Sequence, residues 1–269
     1  SIKYYKKFLR SGLVSIEPTT GYVKAYVGGL NYAYFQYDMA SMGRRQVGST
    51  MKPFVYAMAM EDGMEPTDTI RNIQRTYQVG ENTWSPRNAS ESRYGEDVTL
   101  KWGLSQSNNW ITAELMYQTD PDGFRLAKYL REYGVANADI YPTLALCLGS
   151  CDITVAEMAS AYTAFANKGI RCAPILVTHI EDVHGNIVAD FSPRMNEVIS
   201  EESCYKMIDM LQAVVNQGTG IRLRYRYKFE TPIAGKTGTT NSNSDGWFVG
   251  IVPRLVTACW VGGEERDIH

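Results

Sequence analysis

The sequence predicts an α+β (mixed α and β) fold: an antiparallel sheet formed by N- and C-terminal strands, flanked by helices, with a mostly helical central subdomain. Three observations predict it. Alternating apolar and polar runs occupy both ends of the 269-residue chain, helical periodicity fills its middle, and 44% hydrophobic against 21% charged residues is a globular balance.

Near the start, GLVSIEP and YVKAYVGG alternate around Pro18-Thr19-Thr20-Gly21 and read as a β-hairpin. MKPFVYAMAM, residues 51–60, predicts a buried helix. Pro53 lacks an N–H, so it is tolerated only within or just past the first turn, and the helix must begin close to Ser49. Residues 62–97, rich in Gly, Asn, Ser, Pro and charge, predict an irregular excursion with local structure of its own. Helices follow at about 98–118, at 121–133 after Asp120-Pro121, and at 154–168, where Thr154 and Glu157 form a capping box and Gly169 supplies the stop. ILVTHIEDVHGNIVAD predicts two strands around His184-Gly185-Asn186. Cys204, Met207, Ile208, Leu211 and Val215 recur at helical spacing over about 200–217. The tail, with TPIAGKTGTT, GWFVGIVP and LVTACWVGG, reads as three strands.

Composition narrows the function. Twenty-seven Lys and Arg against 29 Asp and Glu leave a net charge of −2, so no basic footprint points to nucleic acid. No apolar run approaches the roughly 18 residues of a membrane span, and SIKYYKKFLR lacks the apolar core of a signal peptide, so the segment as written reads as soluble. Cys147, Cys151, Cys172, Cys204 and Cys259 are an odd number without a CxxC pair and read as small core residues. His179, His184 and His269 show neither HExxH nor any metal-ligand spacing, so no metal, cofactor or His-based triad is expected.

Three short patterns carry chemistry. In Ser49-Thr50-Met51-Lys52, Ser and Lys lie on one helical face, placing an amine within a turn of a hydroxyl. A lysine with an ordinary pKa of about 10.4 is protonated at neutral pH, so Lys52 becomes a base only if burial or a neighbouring cation lowers it. Lys236 is the candidate neighbour. Ser203-Cys204-Tyr205-Lys206 repeats the pattern, but Cys204 and Met207 face a core there, which leaves no helix-start geometry and a structural serine. Ser107-Asn108-Asn109 interrupts a helical region. It reads either as a helix–helix junction or as a site in which Ser107 relays a proton and Asn109 clamps an amide. Lys236-Thr237-Gly238 follows Gly235 in a strand, and two glycines there suggest close approach of a ligand or another backbone. A peptide could pair with such an edge strand while Lys236 and the threonines take a carboxylate.

Jointly these motifs resemble those of the serine penicillin-recognising enzymes, for which the trio is a signature. GLVSIEPTTGYVKAYVGG, RRQVGSTMKPFVYA, YGEDVTLKWGLSQSNNW, ITVAEMASAYTAFANKG, VVNQGTG and AGKTGTTNSNSDGWFVG look like segments of the transpeptidase domain of class A penicillin-binding proteins, spread over nearly the whole chain. The resemblance implies a single domain over residues 1–269 with the penicillin-binding protein/β-lactamase-like fold. It implies a catalytic Ser49 acylated with Lys52 as general base and Ser107 as proton relay. Asn109, Lys236, Thr237 and Thr239 would bind the donor, and the backbone N–H groups of Ser49 and Thr239 would form the oxyanion hole. The implied reaction is D,D-transpeptidation of peptidoglycan: a D-Ala-D-Ala donor stem acylates Ser49, D-Ala leaves, and an amine of a neighbouring stem completes the cross-link. β-Lactams would imitate the donor.

The family further implies a membrane anchor and a glycosyltransferase domain, with the full-length protein on the periplasmic face of the inner membrane, and a helix after the last strand that covers the sheet. Neither domain is in this sequence, and WVGGEERDIH ends soon after the last strand, so a trimmed chain is expected. The rival readings are a D,D-carboxypeptidase or β-lactamase that passes the acyl group to water, and a non-catalytic penicillin-binding sensor. No E-x-x-L-N segment stands between the second and third motifs to support the β-lactamase.

Overall fold

The computed structural model describes residues 8–136, 139–240 and 243–264. His269, the first seven residues and the end of the expected final segment lie outside the described residues.

One five-stranded antiparallel sheet organises the protein. Its strands are β1 (Arg10–Ile16), β2 (Val23–Val27), β3 (Ala234–Thr239), β4 (Asp245–Val252) and β5 (Leu255–Gly262), in the order β3-β4-β5-β1-β2. The first strand pairs with the last, Arg10 opposite Gly262 and Ile16 opposite Val256, so the termini together build the sheet as expected. Directly opposed residues share a face. Lys236, Val249, Ala258 and Val14 therefore form one row across four strands, and all four are buried. The next row, Thr237, Phe248, Cys259 and Leu13, lies on the other face and is only half-buried.

The helices of six residues or more are α1 (Lys52–Glu61), α2 (Leu100–Ser105), α3 (Asn109–Thr119), α4 (Phe124–Glu132), α5 (Val155–Ala166) and α6 (Glu201–Gln217), and a single turn follows at Arg222–Tyr225. α5 packs across β1, β4 and β5, and α6 packs against β3. α1 is buried at every position from Lys52 to Met60, which explains why its sequence is apolar on all sides rather than amphipathic. Phe54 of α1 meets Tyr133, Tyr162 and Phe165 with ring centroids 4.9–5.8 Å apart. Four cysteines are buried, Cys259 is half-buried, and all five are free thiols.

Thr154 caps α5 through the expected capping box with Glu157. The long helix expected at 98–118 is instead two helices broken at residues 106–108, and the helix expected from 121 starts at Phe124 behind the left-handed Gly123. The excursion at 62–97 holds three strands of three residues each and ends on a fourth, Asp97–Thr99, and the hairpin around His184-Gly185-Asn186 is present as His179–Glu181 with Ile187–Asp190.

Candidate active site

Ser49 stands in a 3-10 turn, Gly48–Met51, that leads into α1 with Pro53 in the first helical turn. Proline tolerates that place because its missing N–H would find no intrahelical partner. The turn is held from several sides. The Tyr162 hydroxyl donates to the Thr50 carbonyl at 2.7 Å, the Trp247 indole donates to the Gln46 carbonyl at 2.9 Å, and the Gly48 N–H donates to the Gly149 carbonyl at 3.3 Å.

Strand β3 presses on this turn from above. A Cβ at Gly238 would come within 2.8 Å of both Thr50 Cγ2 and the Val47 carbonyl oxygen. Gly48, at φ +52°, would set a Cβ 2.8 Å from the Thr239 carbonyl oxygen. The close approach signalled by glycine in the third motif is therefore to another backbone, the one that carries Ser49.

The second motif sits in the break between α2 and α3. Ser107 adopts φ +54°, a left-handed conformation unusual for a non-glycine residue, with its N–H donating to the Leu104 carbonyl at 3.0 Å. Asn108 starts α3 by accepting from the Ile111 N–H at 3.0 Å, and its amide donates to Asn72 Oδ1 at 2.9 Å. This is the junction the asparagines suggested, and it also aims Ser107 and Asn109 at the two lysines.

Lys52 Nζ donates to the Ser107 carbonyl, to Asn109 Oδ1 at 2.6 Å and to Ser107 Oγ at 3.2 Å. Lys236 Nζ donates to the same Ser107 Oγ at 2.9 Å and to the Thr237 carbonyl at 3.0 Å. One hydroxyl thus joins two amines, both wholly buried. Burial pulls the Lys52 ammonium down to about 7, with the nearby Cys147 thiol acting in the opposite direction. Burial, and after it the charge of Lys52, holds Lys236 well below its ordinary value. Of the two causes the sequence offered, burial or a neighbouring cation, desolvation is the larger at both lysines, and the two amines stand close enough to repel one another as ammonium ions.

Ser49 is half-buried, and its hydroxyl makes no hydrogen bond among the described residues. Contacts of this kind commonly close only once a substrate is in place. The residue lies between two cavities that share Ser49, Asn109, Thr239 and Thr240. The larger, about 540 Å³, is lined by Trp102, Gln106, Thr219 and Thr237; the smaller, about 400 Å³, by Gln46, Trp84, Arg87 and Leu148. β3 is the edge strand of the sheet, as the peptide-pairing expectation required.

Asn109 is less available than expected. Its Oδ1 is taken by Lys52 and its Nδ2 donates to the Arg87 carbonyl at 2.7 Å, which leaves one amide hydrogen for a ligand. Thr219 was given no role by the sequence. Its hydroxyl lies 2.6 Å from that of Thr237 and its N–H donates to the Ser105 carbonyl at 3.1 Å, so it ties the end of α2, just before the second motif, to the third. Its signal was the threonine between two glycines in VVNQGTG.

The second Ser-x-x-Lys pattern is structural, though not for the reason expected. Ser203 does lie in the first turn of α6, but it is 3% exposed with its hydroxyl on Ser200, and Lys206 pairs with Glu65 and Glu202.

Comparison with known proteins bears on the family and the fold. Residues 12–261 match the family described as the penicillin binding protein transpeptidase domain. The chain is 38% identical over 258 residues to penicillin-binding protein 1A of Aquifex aeolicus, covering 94% of this chain and 34% of that protein. Against penicillin-binding protein 1A of Neisseria meningitidis, identity is 34% over 263 residues, covering 94% and 32%. The chain thus spans about a third of the length of these curated relatives. Among solved structures, penicillin-binding protein 1A of Haemophilus influenzae superposes with a TM-score of 0.88 at 28% identity, over 96% of this chain and 44% of that one. PonA1 of Mycobacterium tuberculosis in complex with penicillin V gives a TM-score of 0.81 at 25% identity, over 99% and 73%.

Proposed function

The chain belongs to the penicillin-binding protein transpeptidase domain family, and from that premise we propose that it cross-links peptidoglycan stem peptides through an acyl-enzyme on Ser49 and is inhibited by β-lactams. The observation that carries the reading is the single Ser107 hydroxyl shared by two buried amines beside Ser49.

The chemistry follows from that arrangement. Ser49 Oγ bonds to the carbonyl carbon of the penultimate D-Ala as its proton passes to neutral Lys52. The N–H groups of Ser49, in the turn that opens α1, and of Thr239, at the end of β3, hold the oxyanion. The C–N bond then breaks, and the proton travels by way of Ser107 to the departing D-Ala nitrogen. An amine of a neighbouring stem attacks the ester carbonyl and gives its proton to Lys52; the C–Oγ bond then breaks, and Lys52 returns the proton to Ser49 Oγ. Lys236, Thr237 and Thr239, with the remaining amide hydrogen of Asn109, hold the donor. A donor carboxylate beside Lys236 favours the Lys236 ammonium, and repulsion across the shared hydroxyl then keeps Lys52 neutral. Binding of substrate in this way prepares the base.

Should the chain be one part of a longer protein, as its share of its relatives' length allows, the reading extends to a glycosyltransferase activity and to membrane anchoring at the extracytoplasmic (periplasmic) face. No helix among the described residues is long and apolar enough to cross a membrane.

Mass spectrometry after incubation with benzylpenicillin tests the reading. A stable adduct mapped to Ser49 and lost in Ser49→Ala is expected. Labelling that survives in Ser49→Ala overturns it, and rapid turnover of the penicillin points to the hydrolase instead.

A further inference from the structure

The two cavities flanking Ser49 have different walls. A carbonyl attacked at Ser49 carries its leaving group to one side and its acyl substituent to the other. The carboxylate of the leaving residue belongs with Lys236, Thr237 and Thr219, which line or underlie the larger cavity. The acyl segment of the donor must then run into the smaller one.

That smaller cavity is lined by Trp84, Pro86, Ala145 and Leu148 with polar Gln46 and Ser150, and of its described lining residues only Arg87 is charged. The backbone that carries Arg87 is fixed against the start of α3. The Asn109 amide donates to the Arg87 carbonyl at 2.7 Å, the Asn109 N–H donates to Asn88 Oδ1 at 3.0 Å, and the Trp110 indole donates to the Pro86 carbonyl at 3.0 Å. The guanidinium itself is exposed and pairs with no carboxylate among the described residues. An unpaired guanidinium on a clamped backbone, at the mouth of an otherwise uncharged and partly apolar cavity, is suited to a carboxylate.

We propose that Arg87 is a specificity-determining residue that selects donors whose acyl segment carries a free carboxylate, binding it in the cavity beside Trp84. The inference rests on Ser49 being the acylated residue. It deepens that reading by assigning the chemistry of the acyl side.

Benzylpenicillin and carbenicillin provide the test, because they differ only by a carboxylate on the acyl side chain. The second-order rate of Ser49 acylation is measured for both with the wild-type chain, Arg87→Gln and Arg87→Lys. In Arg87→Gln the ratio of carbenicillin to benzylpenicillin rates should fall roughly five-fold, with the benzylpenicillin rate unchanged as the internal check on folding. Arg87→Lys should retain part of the preference, and added salt should erode the wild-type ratio toward that of Arg87→Gln. A ratio unaltered by Arg87→Gln overturns the inference while leaving the acyl-enzyme intact. Failure of both penicillins to acylate the wild-type chain would instead overturn the reading beneath it.

Discussion

Ser107 occupies a backbone position that glycine would fill with least strain, yet its hydroxyl is what both amines hold. A left-handed non-glycine residue costs on the order of 1–2 kcal/mol. Ser107→Gly should therefore raise the thermal midpoint slightly while slowing acylation at least tenfold, a split that melting curves and penicillin-labelling rates would read together. Lys52→Ala should slow acylation by about 10²–10⁴-fold, the usual loss when a general base is removed. With Lys52 near 7, acylation in the wild type should rise as pH increases through that value, since only the neutral amine accepts the serine proton. Stability should move the same way. Lysines depressed in the folded chain and ordinary in the unfolded one make the unfolded state bind more protons, so denaturant midpoints should climb between about pH 7 and pH 8.5. Above that the buried thiols oppose the trend, because Cys147 and Cys151 are pushed up to about 12 and would ionise on unfolding. At this scale the roles proposed for Ser49, Lys52, Ser107 and Lys236 were legible in residue type and spacing. The occupied amide of Asn109 was not, because the Arg87 carbonyl and Lys52 that take it come from segments distant in sequence.

The elements that form the site are positioned by contact between backbones. β3 and the 3-10 turn approach so closely that Gly238→Ala should push the strand off the turn, lowering acylation by more than a hundredfold, about 3 kcal/mol at the transition state, with a smaller loss of stability. Circular dichroism and labelling of the same preparation would separate the two effects. The main elements could be read beforehand because each carries its own signal: apolar spacing in α6, the Thr154–Glu157 box in α5, alternation in β1 and β5. The short strand pair Arg45–Gln46 with Asp152–Ile153 had none, since two residues make no pattern and its pairing depends on the surrounding fold. The break between α2 and α3 was visible as an interruption, while its division into two helices depended on Asn108 capping and on Asn72 across the excursion.

Over the whole molecule, the sheet is complete only when its first and last strands meet. Buried Asp245 adds a second tie: it accepts from Arg45 at 2.7 Å and from Trp260 at 2.9 Å, linking β4 and β5 to the strand just before the Ser49 turn. A chain ending after Val252 would lose β5, the strand that joins β4 to β1, so it should neither melt cooperatively nor bind fluorescent penicillin, although every proposed catalytic side chain is retained. That fold class was legible because both ends alternate, whereas strand order was inferred only as a union of the termini. The antiparallel alignment of β1 with β5, Arg10 opposite Gly262, has a mechanical consequence. Tension applied across these two residues loads the interstrand bonds one at a time from the open end, like a zipper, rather than all together in shear. A module tethered at both flanks to a strained polymer would peel apart at low force there, long before its helical interior felt the load.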